Sequence, residues 1–450
     1  MKKTVIGVLV VVLFALGISV CLANGNDKAI GDKVDSSSGH IKGATAITEV
    51  FGDGQKISAV ALEYDAPIDT AKLKPSDFTV AGKNIIKIYA NTKAEKAIKG
   101  VSGKYVILEL ATPMIEQKME GDLEKPLNHD EKSEPKGIMN GPQLGSRPDK
   151  QPSITLLAAN IKQLGNVTTA AGEIYDATSN MITSTKTINL VVDDFKQLVY
   201  KDPKYNNKSL MYNLYVPKNY DPAKKYPLVL FIHDAGAVSD NPTTTLTQGL
   251  GAVIWATPSE QAKHECFVLA PQYTTVIADD NSQTTEQMDI TVDLLKNLEK
   301  QYSIDTTRLY NTGQSMGGMT SIAMDIKYPD LFAASLLVAC QWDSEKVKPM
   351  AKKNLWIVVS EGDNKAYPGM NAITDVLKSQ GATVSYGTWS AQSNTLKMKK
   401  NVDKMLKANC NVNYTVFKNG NHRYTWQYAY TIEGIRDWVF TNKRFVEAVL

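Results

Sequence analysis

Short, uninterrupted apolar runs return throughout the second half of the sequence, and they leave the chain few folds to choose from. Leu228–Ile232, Phe267–Ala270, Ala334–Cys340 and Leu355–Ser360 are too short to be independent helices and offer no alternating polar face to water. Runs of this kind are strands buried on both sides. Between them, Met288, Val292, Leu295, Leu298 and Tyr302 recur at helical spacing. Strands joined through amphipathic helices form a mostly parallel sheet covered on both faces. Further strands are expected at Leu210–Val216, Arg308–Thr312, Thr383–Tyr386 and Tyr414–Phe417, so residues 194–450 are predicted to be one α/β domain. No internal repeat is visible.

The preceding residues follow another rule. Ile57–Tyr64, Phe78–Val80, Ile85–Tyr89, Tyr105–Leu110, Ile154–Ala158 and Thr187–Val192 are short β-rich runs separated by turn residues, with hardly a helical period among them. That pattern predicts a small all-β sandwich over residues 43–193. The stretch 113–152 is rich in Pro, Gly and charge and poor in β-branched residues, and is expected to be a mobile, solvated insertion between two strands. Two domains suit a chain of 450 residues.

Met1, Lys2 and Lys3 precede an apolar run from Val5 to Val20 and then Cys21, Leu22 and Ala23. A basic start, an apolar stretch and small residues make a signal peptide over residues 1–23, cleaved after Ala23. The expected location is therefore extracytoplasmic. A leader-anchored or Cys21-lipidated form at the outer membrane face is the alternative, although the run is short for a membrane span and Val20 is an unusual neighbour for a lipidated cysteine. Residues 24–42 read as a flexible linker. Lys plus Arg number 50 against 47 for Asp plus Glu, and Lys2 and Lys3 fall in the leader. Such balance provides no field for holding nucleic acid or an anionic membrane, so small neutral or weakly charged substrates are expected, with no stable membrane insertion once the leader is gone. Past the leader, Cys266, Cys340 and Cys410 lack the close pairing of a zinc site and are read as buried thiols.

Gly313, Gln314, Ser315, Met316 and Gly317 form a G-x-S-x-G string between an expected strand and an expected helix at Thr320–Lys327. A serine on a sharp turn projects its hydroxyl above the sheet, and glycines let the neighbouring backbone pass closely. That hydroxyl needs a base, which in this arrangement follows in chain order. Of the five histidines only His422 comes after Ser315, in a loop beyond the last strand. Asp363, after the strand Leu355–Ser360, is the expected acid, with Glu361 and Asp343 as competitors. The oxyanion of an acyl-transfer intermediate would be received by the N–H groups of Met316 and Ala235. His233 is read as ordering the loop rather than as a catalyst. Asp234 is a puzzle, since a carboxylate facing a developing anion would oppose it; it should point away or bond the loop. Trp342, Tyr367 and Tyr424 are candidates for lining the substrate pocket, with plain core packing as the alternative.

These residues resemble bacterial α/β-hydrolases with an N-terminal immunoglobulin-like domain, a group that includes esterases, polyhydroxybutyrate depolymerase-like enzymes and predicted peptidases. The resemblance rests on G-Q-S-M-G-G at Gly313–Gly318, F-I-H-D-A-G ending at Gly236, S-E-G-D-N-K-A-Y-P-G-M at Ser360–Met370 and N-G-N-H ending at His422. It implies an α/β-hydrolase fold after an immunoglobulin-like sandwich, and a Ser315–Asp363–His422 triad. Asp234 departs from the group, which usually has glycine there. By analogy the β domain would shade the site entrance.

The expected activity is hydrolysis of a small carboxylic ester through an acyl-enzyme on Ser315, needing no metal and no organic cofactor, and rising with pH as a group of pKa near ~7 deprotonates. The alternatives are a serine peptidase acting on small peptides and an inactive binding protein on a hydrolase scaffold. A lipase is disfavoured because no long apolar lid is evident. Substrate identity and oligomeric state leave no trace in the sequence.

Overall fold

The computed structural model describes residues 39–112, 141–147 and 157–444. The expected leader, the linker up to residue 38 and most of the expected insertion lie outside the described residues. In the N-terminal part, β1 (Ile41–Phe51), β2 (Gly54–Ile68), β3 (Phe78–Val80), β4 (Ile85–Asn91), β5 (Gly103–Leu110), β6 (Asn160–Gln163), β7 (Val167–Thr168), β8 (Ile174–Tyr175), β9 (Ile182–Thr183) and β10 (Lys186–Asn189) follow one another. They form a five-stranded sheet in the order β10-β1-β2-β5-β4, facing the small sheet β3-β6-β9. The period-two rule explains the layering. Val60, Leu62 and Tyr64 of β2 point into the apolar cluster shared with Phe78, Val80 and Ile161, while Ala59 and Ala61 face the opposite side.

Several expected strands shift. The first strand, at Ile41–Phe51, was hidden because its apolar residues are interrupted by Thr45, Thr48 and Glu49. The run at Ile154–Ala158 is not a strand where it is described; pairing starts at Asn160. Val192 leaves the sheet for a single 3-10 turn, Val192–Asp194.

The C-terminal part holds β11 (Lys196–Asp202), β12 (Lys208–Tyr215), β13 (Tyr226–Ile232), β14 (Phe267–Gln272), β15 (Ile304–Gln314), β16 (Ala334–Val338), β17 (Leu355–Ser360), β18 (Val384–Trp389) and β19 (Val412–Phe417). Its helices are α1 (Thr244–Thr247), α2 (Leu250–Val253), α3 (Pro258–Lys263), α4 (Gln287–Gln301), α5 (Met316–Lys327), α6 (Ala366–Ser379), α7 (Thr395–Leu406), α8 (His422–Ala429) and α9 (Glu433–Thr441). The strands make one nine-stranded sheet in the order β11-β12-β14-β13-β15-β16-β17-β19-β18. Only the β11–β12 and β12–β14 pairs are antiparallel. Edge strand β11 went unnoticed in the sequence because Leu198 and Val199 are exposed and its other residues are largely polar or charged.

Continuous apolar strands are explained by burial on both faces. In β13, Leu228, Leu230 and Ile232 enter the cluster packed by α4, α5 and α6, whereas Val229 and Phe231 enter the one packed by α2, α7, α8 and α9. Each such side chain contributes about 1.5–3 kcal/mol by leaving water. The two parts touch where the β1–β2 hairpin meets the α/β domain: a side chain on Gly52 would start 2.0 Å from the carbonyl oxygen of Gln427 in α8. That hairpin tolerates only glycine there.

Candidate active site

Register brings the chemistry to one edge. β13 and β15 run parallel with Ile232 opposite Gly313, and β17 and β19 run parallel with Ser360 opposite Phe417. The residues that follow each strand therefore leave the sheet at its carboxyl edge, where α/β sheets gather their functional groups.

Ser315 lies between β15 and α5 with φ 52° and ψ −120°, a conformation costly for a residue with a side chain and maintained only by its surroundings. Two glycines allow the turn. A Cβ on Gly313 would lie 2.3 Å from the carbonyl carbon of Gly317, and one on Gly317 would lie 1.9 Å from the carbonyl oxygen of Ile232. The helix starts at Met316, earlier than the expected Thr320, so the serine sits directly at its N-terminal end.

His422 is not in a loop, as the sequence suggested, but opens α8, with Asn421 capping the helix through Oδ1 to the Tyr424 N–H at 2.9 Å. The Asn419–Asn421 turn looks like a loop in sequence, and the aromatic-rich helix beyond it carries little periodicity. The imidazole stands 2.5 Å from Asp363 Oδ2 through Nδ1 and 2.9 Å from Ser315 Oγ through Nε2. Because a carboxylate only accepts, Nδ1–H must donate to Asp363, which leaves Nε2 to accept from the serine hydroxyl. The ring of Trp426, one turn on, meets His422 edge-on with centroids 5.0 Å apart. Sequence reasoning missed Trp426; its i, i+4 spacing from His422 was the only signal.

Asp363 is buried, and its Oδ1 accepts from the N–H groups of Ala366 at 2.9 Å and Lys365 at 3.1 Å. Burial alone would raise its pKa, but the hydrogen bond from His422, the charge of that ring and the two backbone donors outweigh it and hold the carboxyl below its ordinary value. The competing acids are engaged elsewhere. Glu361 Oε2 accepts from the Asn419 N–H at 3.1 Å, and Asp343 caps a 3-10 turn through the Glu345 N–H at 3.0 Å.

Ala235 begins the turn that follows β13. Asp234 resolves as its cap: Oδ1 accepts from the Gly236 N–H at 2.8 Å and Oδ2 from Gln314 Nε2 at 2.9 Å. Its charge thus serves the loop and Gln314, the residue before Ser315. Completely buried His233 accepts the Tyr273 N–H at Nε2 (3.0 Å), so its Nδ1–H donates to the Asp234 carbonyl at 2.7 Å. Burial lowers its pKa and keeps it neutral. Met316 and Ala235 each begin a helical turn, where N–H groups lack intrahelical partners.

Trp342 is buried in the main apolar cluster, and Tyr367 is half-buried against it, while Tyr424 packs beneath Phe417 and beside Tyr428. Among the described residues Cys266, Cys340 and Cys410 are free; Cys266 and Cys340 are buried, with burial pushing Cys266 up to about 12, but Cys410 is only half-buried, contrary to expectation. The described part of the insertion, 141–147, is largely exposed but hydrogen-bonded to the α/β domain: Gly145 N–H donates to the Val276 carbonyl, Val276 N–H to the Ser146 carbonyl, each at 2.9 Å, and Arg147 pairs with Asp240 at 3.0 Å. Among the described residues no helix is long and apolar enough to cross a membrane.

Comparison with known proteins adds the family. The model of the esterase immunoglobulin-like N-terminal domain matches residues 43–176, and that of the Esterase family matches residues 204–436, more than half of the chain. The chain belongs to the Esterase family. It is a carboxylic ester hydrolase with an α/β-hydrolase fold behind an immunoglobulin-like domain. A thermostable esterase of known structure is similar over 90% of this chain and 100% of its own, at 26% identity and a TM-score of 0.71. The feruloyl esterase module from Clostridium thermocellum matches with 16% identity over 55% of this chain and 87% of its own, at a TM-score of 0.41. A ferulic acid esterase from Anaeromyces mucronatus matches with 15% identity over 53% of this chain and 89% of its own, at 0.37. No curated protein matches.

Proposed function

We propose that this esterase is an exported serine hydrolase that cleaves small carboxylic esters through an acyl-enzyme on Ser315. One observation carries the reading: a single imidazole, His422, lies within hydrogen-bond reach of both Ser315 Oγ and the Asp363 carboxylate, at 2.9 Å and 2.5 Å.

His422 Nε2 takes the hydroxyl proton as Ser315 Oγ attacks the ester carbonyl carbon. The carbonyl oxygen becomes an oxyanion, received by the N–H groups of Met316 and Ala235. Collapse of this intermediate breaks the bond to the alcohol, which leaves with the proton from His422. Water then attacks the acyl-enzyme, with the same histidine as base, releasing the acid and restoring the serine. Throughout, Asp363 holds the tautomer and stabilises the imidazolium.

Labelling with a fluorophosphonate tests this. The expected result is an adduct on the wild type and none on Ser315→Ala; equal labelling of both would refute the assignment. Mass spectrometry of the labelled exported protein reads the leader as well, with a mature chain beginning after Ala23 expected.

A further inference from the structure

Arg423 directly follows His422, and local folding gives no reason for it. It is the second residue of α8, where unpaired N–H groups carry partial positive charge and disfavour a cation. No acidic side chain in that first turn offsets the repulsion. The side chain is exposed, and among the described residues its guanidinium joins no hydrogen bond or ion pair. Several other charges on nearby loops are matched: Lys365 with Asp280 at 2.7 Å, Arg147 with Asp240 at 3.0 Å and Lys346 with Asp343 at 3.7 Å.

The direction of the side chain is informative. Its backbone belongs to the base side of the site, yet Nη2 lies 3.9 Å from the point where a side chain on Gly236 would begin, in the loop that carries Ala235. The guanidinium thus spans the gap between the His422 turn and the oxyanion loop. Gly236 has no side chain, and the atoms nearest to where one would begin are Asp234 Oδ1 at 2.9 Å and Arg423 Nη2 at 3.9 Å; substituents of a carbonyl received by Ala235 N–H that extend past Gly236 would meet this guanidinium. Asp234 flanks the same glycine, but its two oxygens are engaged by the Gly236 N–H and Gln314, and no ion pair joins it to Arg423.

We propose that Arg423 is a specificity-determining residue that selects esters bearing a carboxylate close to the scissile carbonyl. A planar fork of N–H donors with fixed charge fits a carboxylate in two parallel bonds. The proposal deepens the Ser315 reading and rests on it. A charge-assisted pair at a partly solvated rim corresponds to about ten- to a hundredfold in kcat/KM.

The experiment compares two esters with the same leaving group and acyl chains of matching length, 4-nitrophenyl hemisuccinate and 4-nitrophenyl butyrate. The ratio of their kcat/KM values does not depend on how much of a variant is folded. It should fall about ten- to a hundredfold in Arg423→Gln, mainly through KM, fall further in Arg423→Glu, and recover in part in Arg423→Lys. Added salt should lower the wild-type ratio as well. A ratio unchanged by Arg423→Gln and Arg423→Glu would overturn the proposal. A wild type that cleaves neither ester and takes up no fluorophosphonate would instead sink the Ser315 reading, and this one with it.

Discussion

Replacing Asp363 with asparagine changes charge and hydrogen-bond polarity with hardly any change in volume, so its outcome can be worked through atom by atom. Asp363 Oδ1 accepts from the N–H groups of Ala366 and Lys365 at 2.9 and 3.1 Å. In an asparagine only the amide oxygen can keep those two bonds. The amide nitrogen then occupies the position of Oδ2, 2.5 Å from His422 Nδ1, and presents a donor where an acceptor stood. Nδ1 must give up its proton to accept, the proton moves to Nε2, and Ser315 loses its base. The fold need not move for this to happen. The expected loss in kcat is about 10⁴-fold, or roughly 5 kcal/mol of transition-state stabilisation. Initial rates on a 4-nitrophenyl ester measure it, with Glu361→Gln as the companion. Among the described residues the Glu361 carboxylate accepts one hydrogen bond, from the Asn419 N–H, and its replacement should change kcat by less than about threefold. An Asp363→Asn enzyme within tenfold of wild type, or a Glu361 variant more damaged than it, would refute the reasoning. The acid limit follows from the same contacts. With its pKa below the ordinary 3.8, Asp363 contributes stability at pH values above 3.8 that is lost only as pH falls through its own lower value.

Two further outcomes follow from the loops beside the nucleophile. Ala235→Pro deletes one oxyanion donor at the first position of a turn, preceded by Asp234 at φ −74° and ψ 168°, a conformation proline accepts in its neighbour; kcat should drop about 10²–10³-fold with the melting temperature nearly unchanged, and a large loss of stability would contradict the local geometry. His233→Leu strands the Tyr273 N–H and leaves the Asp234 carbonyl with the Ala237 N–H alone, and should cost roughly 1–3 kcal/mol in denaturant titration. Because burial lowers the folded pKa of His233 from 6.5, wild-type stability should fall as pH drops below 6.5, and the leucine variant should lose that part of the slope. An unaltered slope would show that His233 does not govern it.

Much of this was legible beforehand because it is written in short-range patterns. The elbow around Ser315 needs small residues on either side of the turn, and continuous apolar strands such as Leu228–Ile232 need two covered faces. Both demands appear in the sequence as spacing. His422 was found by chain order alone. Other features failed for equally physical reasons. Strand β11 is an exposed edge, so selection for burial left no apolar run to read. Gly145 and Ser146 are exposed yet bond Val276 through their backbone, and backbone hydrogen bonding requires no particular side chain, so nothing in their composition announces that pairing.

By itself the sequence determined the fold class and singled out Ser315 and His422 for the proposed chemistry, because strand periodicity, a strained turn and chain order restrict which residues can occupy each position. Tertiary structure alone decided among Asp363, Glu361 and Asp343, turned Asp234 from an apparent obstacle into a loop cap, and carried Arg423 toward Gly236. Each of these depends on where a side chain ends once distant strands are in register. A carboxylate two residues from another looks identical in sequence, yet one meets an imidazole and the other a backbone N–H.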